Sequence, residues 1–134
     1  MPNLVPGASA SRTCPINDEM IRAFAELTGD TNPVHLDDAY AAGTRFGRRI
    51  AHGMIAAGMI SATLANDLPG PGTVYLGQSL KFKMPVYPGD TITTTVEILS
   101  VRPDKPIVTL ATVCTNQDGE VVLEGEAVVR VGAG

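Results

Sequence analysis

Hydrophobic and polar positions change their period partway along the chain. In residues 17–28 (NDEMIRAFAELT), Met20, Phe24 and Leu27 recur at helical spacing. Asp18 and Glu19 stand near the start of that stretch, where the helix dipole favours negative charge, and Gly29 is a natural stop. A short second helix is predicted over residues 37–42, ending at Gly43. From Gly53 to about Asp67, GMIAAGMISATLAND is apolar on nearly every side, which predicts a helix surrounded by protein and too short to cross a membrane.

After the turn cluster Pro69-Gly70-Pro71-Gly72 the period becomes two, the alternation of strands. In the first segment Val74, Leu76, Leu80, Phe82 and Met84 share one face, and Tyr75, Ser79, Lys81 and Lys83 the other. Ile92, Thr94, Val96 and Ile98 line one face of the next, beyond Pro88-Gly89-Asp90. A third strand is predicted over about 106–116, and Asp118-Gly119 is a hairpin signal into a fourth with Val121, Leu123, Ala127, Val129 and Val131 inward. A helical, loop-rich first half and a β-rich second half give an α+β layout. One buried helix and a sheet with a single apolar face suit either a sheet wrapped around that helix or a plain α+β sandwich.

With 134 residues and no linker, the chain is read as one domain over 1–134 with one site. A formal net charge of -4 and the lack of any long basic run argue against nucleic-acid binding. No apolar stretch approaches a membrane span, and MPNLVPGASASR lacks the charged start and apolar centre of a secretory leader, so a soluble, cytoplasmic protein is expected. Cys14 and Cys114 lie far apart, without a CxxC pair and with only two histidines beside them. They are expected to be reduced thiols, with no metal site.

The segment Gly29-Asp30-Thr31-Asn32-Pro33-Val34-His35 concentrates the chemistry. Asp30 and His35 are five apart, opposite on a strand and roughly 140° apart on a helix, so they converge only in a loop. Gly29 and Pro33 both act to keep the stretch irregular. By themselves these are also ordinary turn residues. What raises their interest is Ala51-His52-Gly53-Met54, where the buried helix begins: a helix start offers free N–H groups and partial positive charge, the equipment for holding an oxyanion. For His52 itself a capping or packing role is expected.

The stretch from Phe24 through Leu27-Thr28-Gly29-Asp30-Thr31-Asn32-Pro33-Val34-His35 to Ala41 resembles the hydratase 2 motif of the MaoC-like (R)-specific 2-enoyl-CoA hydratases. AHGM at 51–54, VYLGQSLKFKMPVYPGD at 74–90, DKPIVTL at 104–110 and GEAVV at 125–129 extend the likeness to the short bacterial hydratases that feed polyhydroxyalkanoate synthesis. The resemblance implies a hot-dog fold, an antiparallel sheet wrapped around a long central helix, and a homodimer joined through the sheets. It implies Asp30 and His35 as the catalytic acid–base pair and the Gly53 N–H as the donor to the thioester oxygen. Ser61 would hydrogen-bond the Asp30 carboxylate, with Asn32 as a further supporting residue. The substrate implied is an acyl-CoA thioester, with no separate cofactor. A hot-dog thioesterase and a non-catalytic acyl-CoA-binding subunit are the competing function classes. Lys81, Lys83, Arg102 and Lys105 are the basic residues nearest strand ends, and none is assigned to CoA.

Overall fold

The computed structural model describes residues 4–132, and its elements follow the predicted change of period. Strand β1 (Ser9–Pro15) is followed by helices α1 (Asp18–Thr28), α2 (Pro33–Leu36), α3 (Asp38–Ala42) and α4 (Gly53–Asn66). Then come β2 (Val74–Gln78), β3 (Lys81–Phe82), β4 (Thr91–Val101), β5 (Ile107–Thr115) and β6 (Val121–Arg130). The sheet order is β1-β4-β5-β6-β2, with β3 also on β6 and every pairing antiparallel.

Helix α1 starts where Asn17 accepts a hydrogen bond from the Met20 N–H, and ends at Gly29, whose φ of 80° is the left-handed conformation glycine adopts without strain. Asp37 caps α3 in the same way. In the sheet, β4 alternates as expected, with Ile92, Thr94, Val96 and Ile98 all buried. They meet Ile55, Ile60 and Leu64 of α4 and Val108, Leu110, Leu123 and Val129 of β5 and β6 in one continuous core. Both cysteines are free, and Cys114 is buried within that core. The hot-dog arrangement is borne out, with the central helix laid against β4, β1 and β5.

Three features differ from the expectation. The first half is not purely helical and looped: residues 9–15 form edge strand β1 on β4, held partly by hydroxyl pairs Ser11–Thr95 and Thr13–Thr93 at 2.9 and 3.0 Å. Its side chains are small or polar, so no large apolar alternation marked it. The segment 74–84 is not one strand with an inward apolar face. A register shift between Tyr75 and Gly77 and a break at Ser79 split it, leaving Leu76, Phe82 and Met84 exposed. At the break the chain presses on β6 so closely that a Cβ on Gly125 would lie 1.9 Å from the Ser79 carbonyl oxygen. Lastly, α4 is not enclosed on all sides: Met54, Gly58 and Ala65 are exposed, at the spacing of one helical stripe.

Candidate active site

Gly29 turns the chain out of α1, and Asp30 follows on an exposed loop. Asn32 then starts α2: its carboxamide oxygen accepts from the Val34 N–H at 3.2 Å, and Pro33 stands at the first helical position, where a missing N–H costs nothing. The expected irregular loop is therefore broken by one helical turn that carries His35. The Asn32 backbone N–H also donates to Asp30 Oδ1 at 3.3 Å, so Asn32 supports both neighbours. Asp30 and His35 do converge. A carboxylate oxygen of Asp30 and one ring nitrogen from each of His35 and His52 lie within 4.8 Å of one another. Two hydrogen bonds of ordinary length through one water span about 4.7 Å.

The His35 ring is only 8% exposed, and its Nδ1 lies 2.7 Å from the Ile50 carbonyl oxygen. Because a carbonyl only accepts, Nδ1 carries the hydrogen and Nε2 keeps its lone pair. Burial pushes the His35 pKa below the ordinary imidazole value, and the neighbouring His52 adds to the shift, while the Ile50 hydrogen bond and the Asp30 charge oppose it. The result is a neutral imidazole.

Gly53 is the first residue of α4, so its N–H lies outside the helical ladder. It lines a cavity of about 280 Å³ together with His35, Ala56, Phe46, Phe82 and Met84, and Arg45 and Lys83 border the same space. A Cβ on Gly53 would meet the Phe82 ring at 2.7 Å. Glycine is thus what lets that aromatic wall lie against the helix start. Ser61 sits elsewhere. It lines a second cavity, of about 430 Å³, with Phe24, Met54, Tyr75 and Leu80. Eight residues further along the helix, it is about 12 Å from Gly53, and among the described residues it makes no hydrogen bond to Asp30. The expected Ser61–Asp30 contact is not made within the chain.

Two residues of the site escaped the sequence reading. Arg49, whose side chain is 15% exposed, bonds Asp18 at the start of α1 and Asp38 of α3, and donates to the His35 carbonyl at 3.2 Å. It locks three helices around the turn that carries His35. Phe82 walls the cavity at Gly53. An arginine between Arg48 and Ile50 carries no local signal of such partners, which lie 31 and 11 residues away. His52 does pack, as expected, but it caps nothing: its side chain makes no cap hydrogen bond. It stacks on His35 at 3.9 Å between centroids and 30° between planes. Stacked rings hold their in-plane lone pairs side by side rather than convergent, a poor arrangement for two ligands of one metal ion.

Comparison with known proteins gives the chain a family. The family model "MaoC like domain" matches residues 6–120. An (R)-specific enoyl-CoA hydratase of Rhodospirillum rubrum is 53% identical over 127 residues, 95% of this chain and 88% of that protein. The (R)-specific enoyl-CoA hydratase of Aeromonas caviae is 51% identical over 111 residues, 83% of each. The solved structure of the A. caviae (R)-hydratase involved in PHA biosynthesis superposes with a TM-score of 0.94 at 46% identity, covering 96% of this chain and 98% of that one. With most of its length matched by the family model and by relatives near half identity, the chain belongs to the MaoC-like domain family.

Proposed function

We propose that the protein is an (R)-specific 2-enoyl-CoA hydratase, a hydro-lyase that reversibly adds water to a trans-2-enoyl thioester. One observation carries this: a neutral imidazole with its Nε2 lone pair free has a ring nitrogen within 4.8 Å of an exposed carboxylate oxygen of Asp30, and that imidazole lines a cavity with the first residue of the central helix. Asp30 and the neutral His35 are both acceptors. A water between them donates a hydrogen to each and keeps a lone pair for C3 of the enoyl group. As the C3–O bond forms, the conjugated electrons move toward the thioester oxygen, where the Gly53 N–H and the positive end of α4 hold the charge. One water proton passes to the acceptor pair and then to C2, so water alone is consumed. Relatives named as (R)-specific enoyl-CoA hydratases, at 53% and 51% identity, support the (R) product.

Arg45 and Lys83 at the edge of the cavity suit the phosphates of a CoA carrier. The working unit is a homodimer, consistent with the uncovered α4 stripe and with edge strand β2, where Val74, Tyr75 and Leu76 are exposed.

The test is to mix the protein with crotonyl-CoA and follow the conjugated absorbance alongside free thiol. Loss of absorbance without thiol is expected. Thiol release would replace the reading by a thioesterase, and no change in either would leave a binding module.

A further inference from the structure

We infer that His52 is a positioning residue that sets both reacting side chains at once: one edge of its ring holds the Asp30 backbone and one face holds the His35 imidazole. The inference rests on the hydratase reading and extends it to a residue outside the acid–base pair. His52 is 3% exposed, and its Nε2 lies 2.9 Å from the Asp30 carbonyl oxygen. That carbonyl accepts, so the hydrogen is on Nε2 and Nδ1 is a bare acceptor. His35 lies against the ring at 3.9 Å, and Phe24 packs on it at 4.8 Å.

The N-cap position explains neither contact. A capping side chain accepts from an N–H of the first helical turn, and Nδ1 would be the atom to do so. Instead Nδ1 is buried and has no partner among the described residues. The ring has given up that hydrogen bond for an orientation that reaches Asp30 and His35 together. Buried polar atoms left unpaired are uncommon and call for such an account.

Two consequences follow from the stack. The His35 ring cannot swing away from the cavity without losing its platform. The neighbouring His52 also adds to the lowering of the His35 pKa, in the direction burial already drives it. The charged or titratable groups facing His35 are Asp30 and His52 at its ring, Arg45 and Lys83 across the cavity it lines, and Arg49, paired with Asp18 and Asp38, at its backbone carbonyl.

The two contacts separate by substitution in the full-length protein. H52Q keeps a donor near the Nε2 position and loses the stack; H52F keeps the stack and loses the donor. With crotonyl-CoA, kcat is expected to fall about tenfold in H52Q and about a hundredfold in H52F, with KM within about threefold of wild type. The NMR titration midpoint of His35 is expected to rise in both, and the rise in H52F, where the packing is kept, is one that loss of packing alone would not produce. Wild-type kcat in either folded variant, or an unmoved His35 midpoint in both, overturns the inference. Should neither variant fold, the imidazole ¹⁵N shifts of the wild-type protein decide: His52 protonated on Nε2 and bare on Nδ1 supports it, and the opposite tautomer overturns it. Wild-type protein that leaves crotonyl-CoA untouched would end the hydratase reading, whereas the tautomer measurement judges the His52 contacts without reference to activity.

Discussion

If His35 is the acceptor of the proposed reaction, its ring sets the pH dependence of the site. Burial holds its folded-state pKa below the ordinary value of about 6.5, so hydration should be flat through neutrality and decline in acid as Nε2 takes a proton. A kcat/KM profile with a midpoint above 6.5 would contradict this. The same shift bears on folding. A lowered pKa contributes stability in full above about pH 6.5, and that contribution is lost as pH falls through the folded-state value. Asp30→Asn and His35→Ala should each cut kcat by about a hundredfold or more, with little change in melting temperature for the exposed Asp30 and a lower one for His35→Ala, which loses a buried ring and its bond to Ile50. Retained turnover in either would remove the acid–base pair. Gly53→Ala is a different case, since the added methyl would have to displace an exposed Phe82 ring rather than backbone. Stability should hold, because alanine is the better helix former, but kcat/KM should fall about tenfold or more as the ring is driven off the helix start. A crystal structure of the variant with Phe82 unmoved and activity intact would refute it. Gly29 and Pro33 marked the segment of Asp30 and His35 as irregular whatever surrounds it, but the roles of these residues and of Gly53 came from the resemblance to the MaoC-like hydratases. The placement of Ser61, which depends on which way a helix faces, was not legible.

Elements are held at the site by two long-range contacts. Arg49 joins α1, α3 and the His35 carbonyl, and pairing with Asp18 lowers that carboxyl below the usual range. Its carboxylate partners are largely solvent-exposed, so Arg49→Met should cost only about 1–2 kcal/mol in urea unfolding. The loss in kcat should be larger than that stability change suggests, since the turn bearing His35 is freed. A variant destabilised yet fully active would show the clamp to be structural alone. Gly125 is the stricter constraint. With backbone rather than a flexible side chain in the way, Gly125→Ala should destabilise by about 3 kcal/mol or more, and a melting temperature within a few degrees of wild type would disprove the close crossing of the Ser79 segment over β6. Neither contact was legible beforehand. The boundaries of α1, α3, α4 and β4–β6 were, because caps, turns and alternation are local. β1 and the β2–β3 break depend on partners far along the chain, and their composition is ambiguous.

At the scale of the whole molecule the two anomalies of the pattern point the same way. A helix apolar all round was expected to be enclosed, and the strand segment 74–84 was expected to turn an apolar face inward. In the single chain both leave apolar surface uncovered, at Met54 and Gly58 on α4 and at Val74, Tyr75, Leu76 and Phe82 on and beside edge strand β2. An open edge carrying large apolar side chains is a liability in a lone molecule and an asset in an assembly. A second copy pairing at β2 would cover both regions and would also wall the cavity that Ser61 lines with Met54, Tyr75 and Leu80. Sedimentation at micromolar concentration should therefore give twice the 14.0 kDa chain mass, and Leu76→Lys should shift the protein toward monomer, because two buried cations would oppose pairing across the edge. Specific activity of that variant should rise with protein concentration as dimer re-forms. A wild-type monomer with full turnover, or a dimer untouched by Leu76→Lys, would mean that these exposed residues serve some other surface and that the site is complete within one chain.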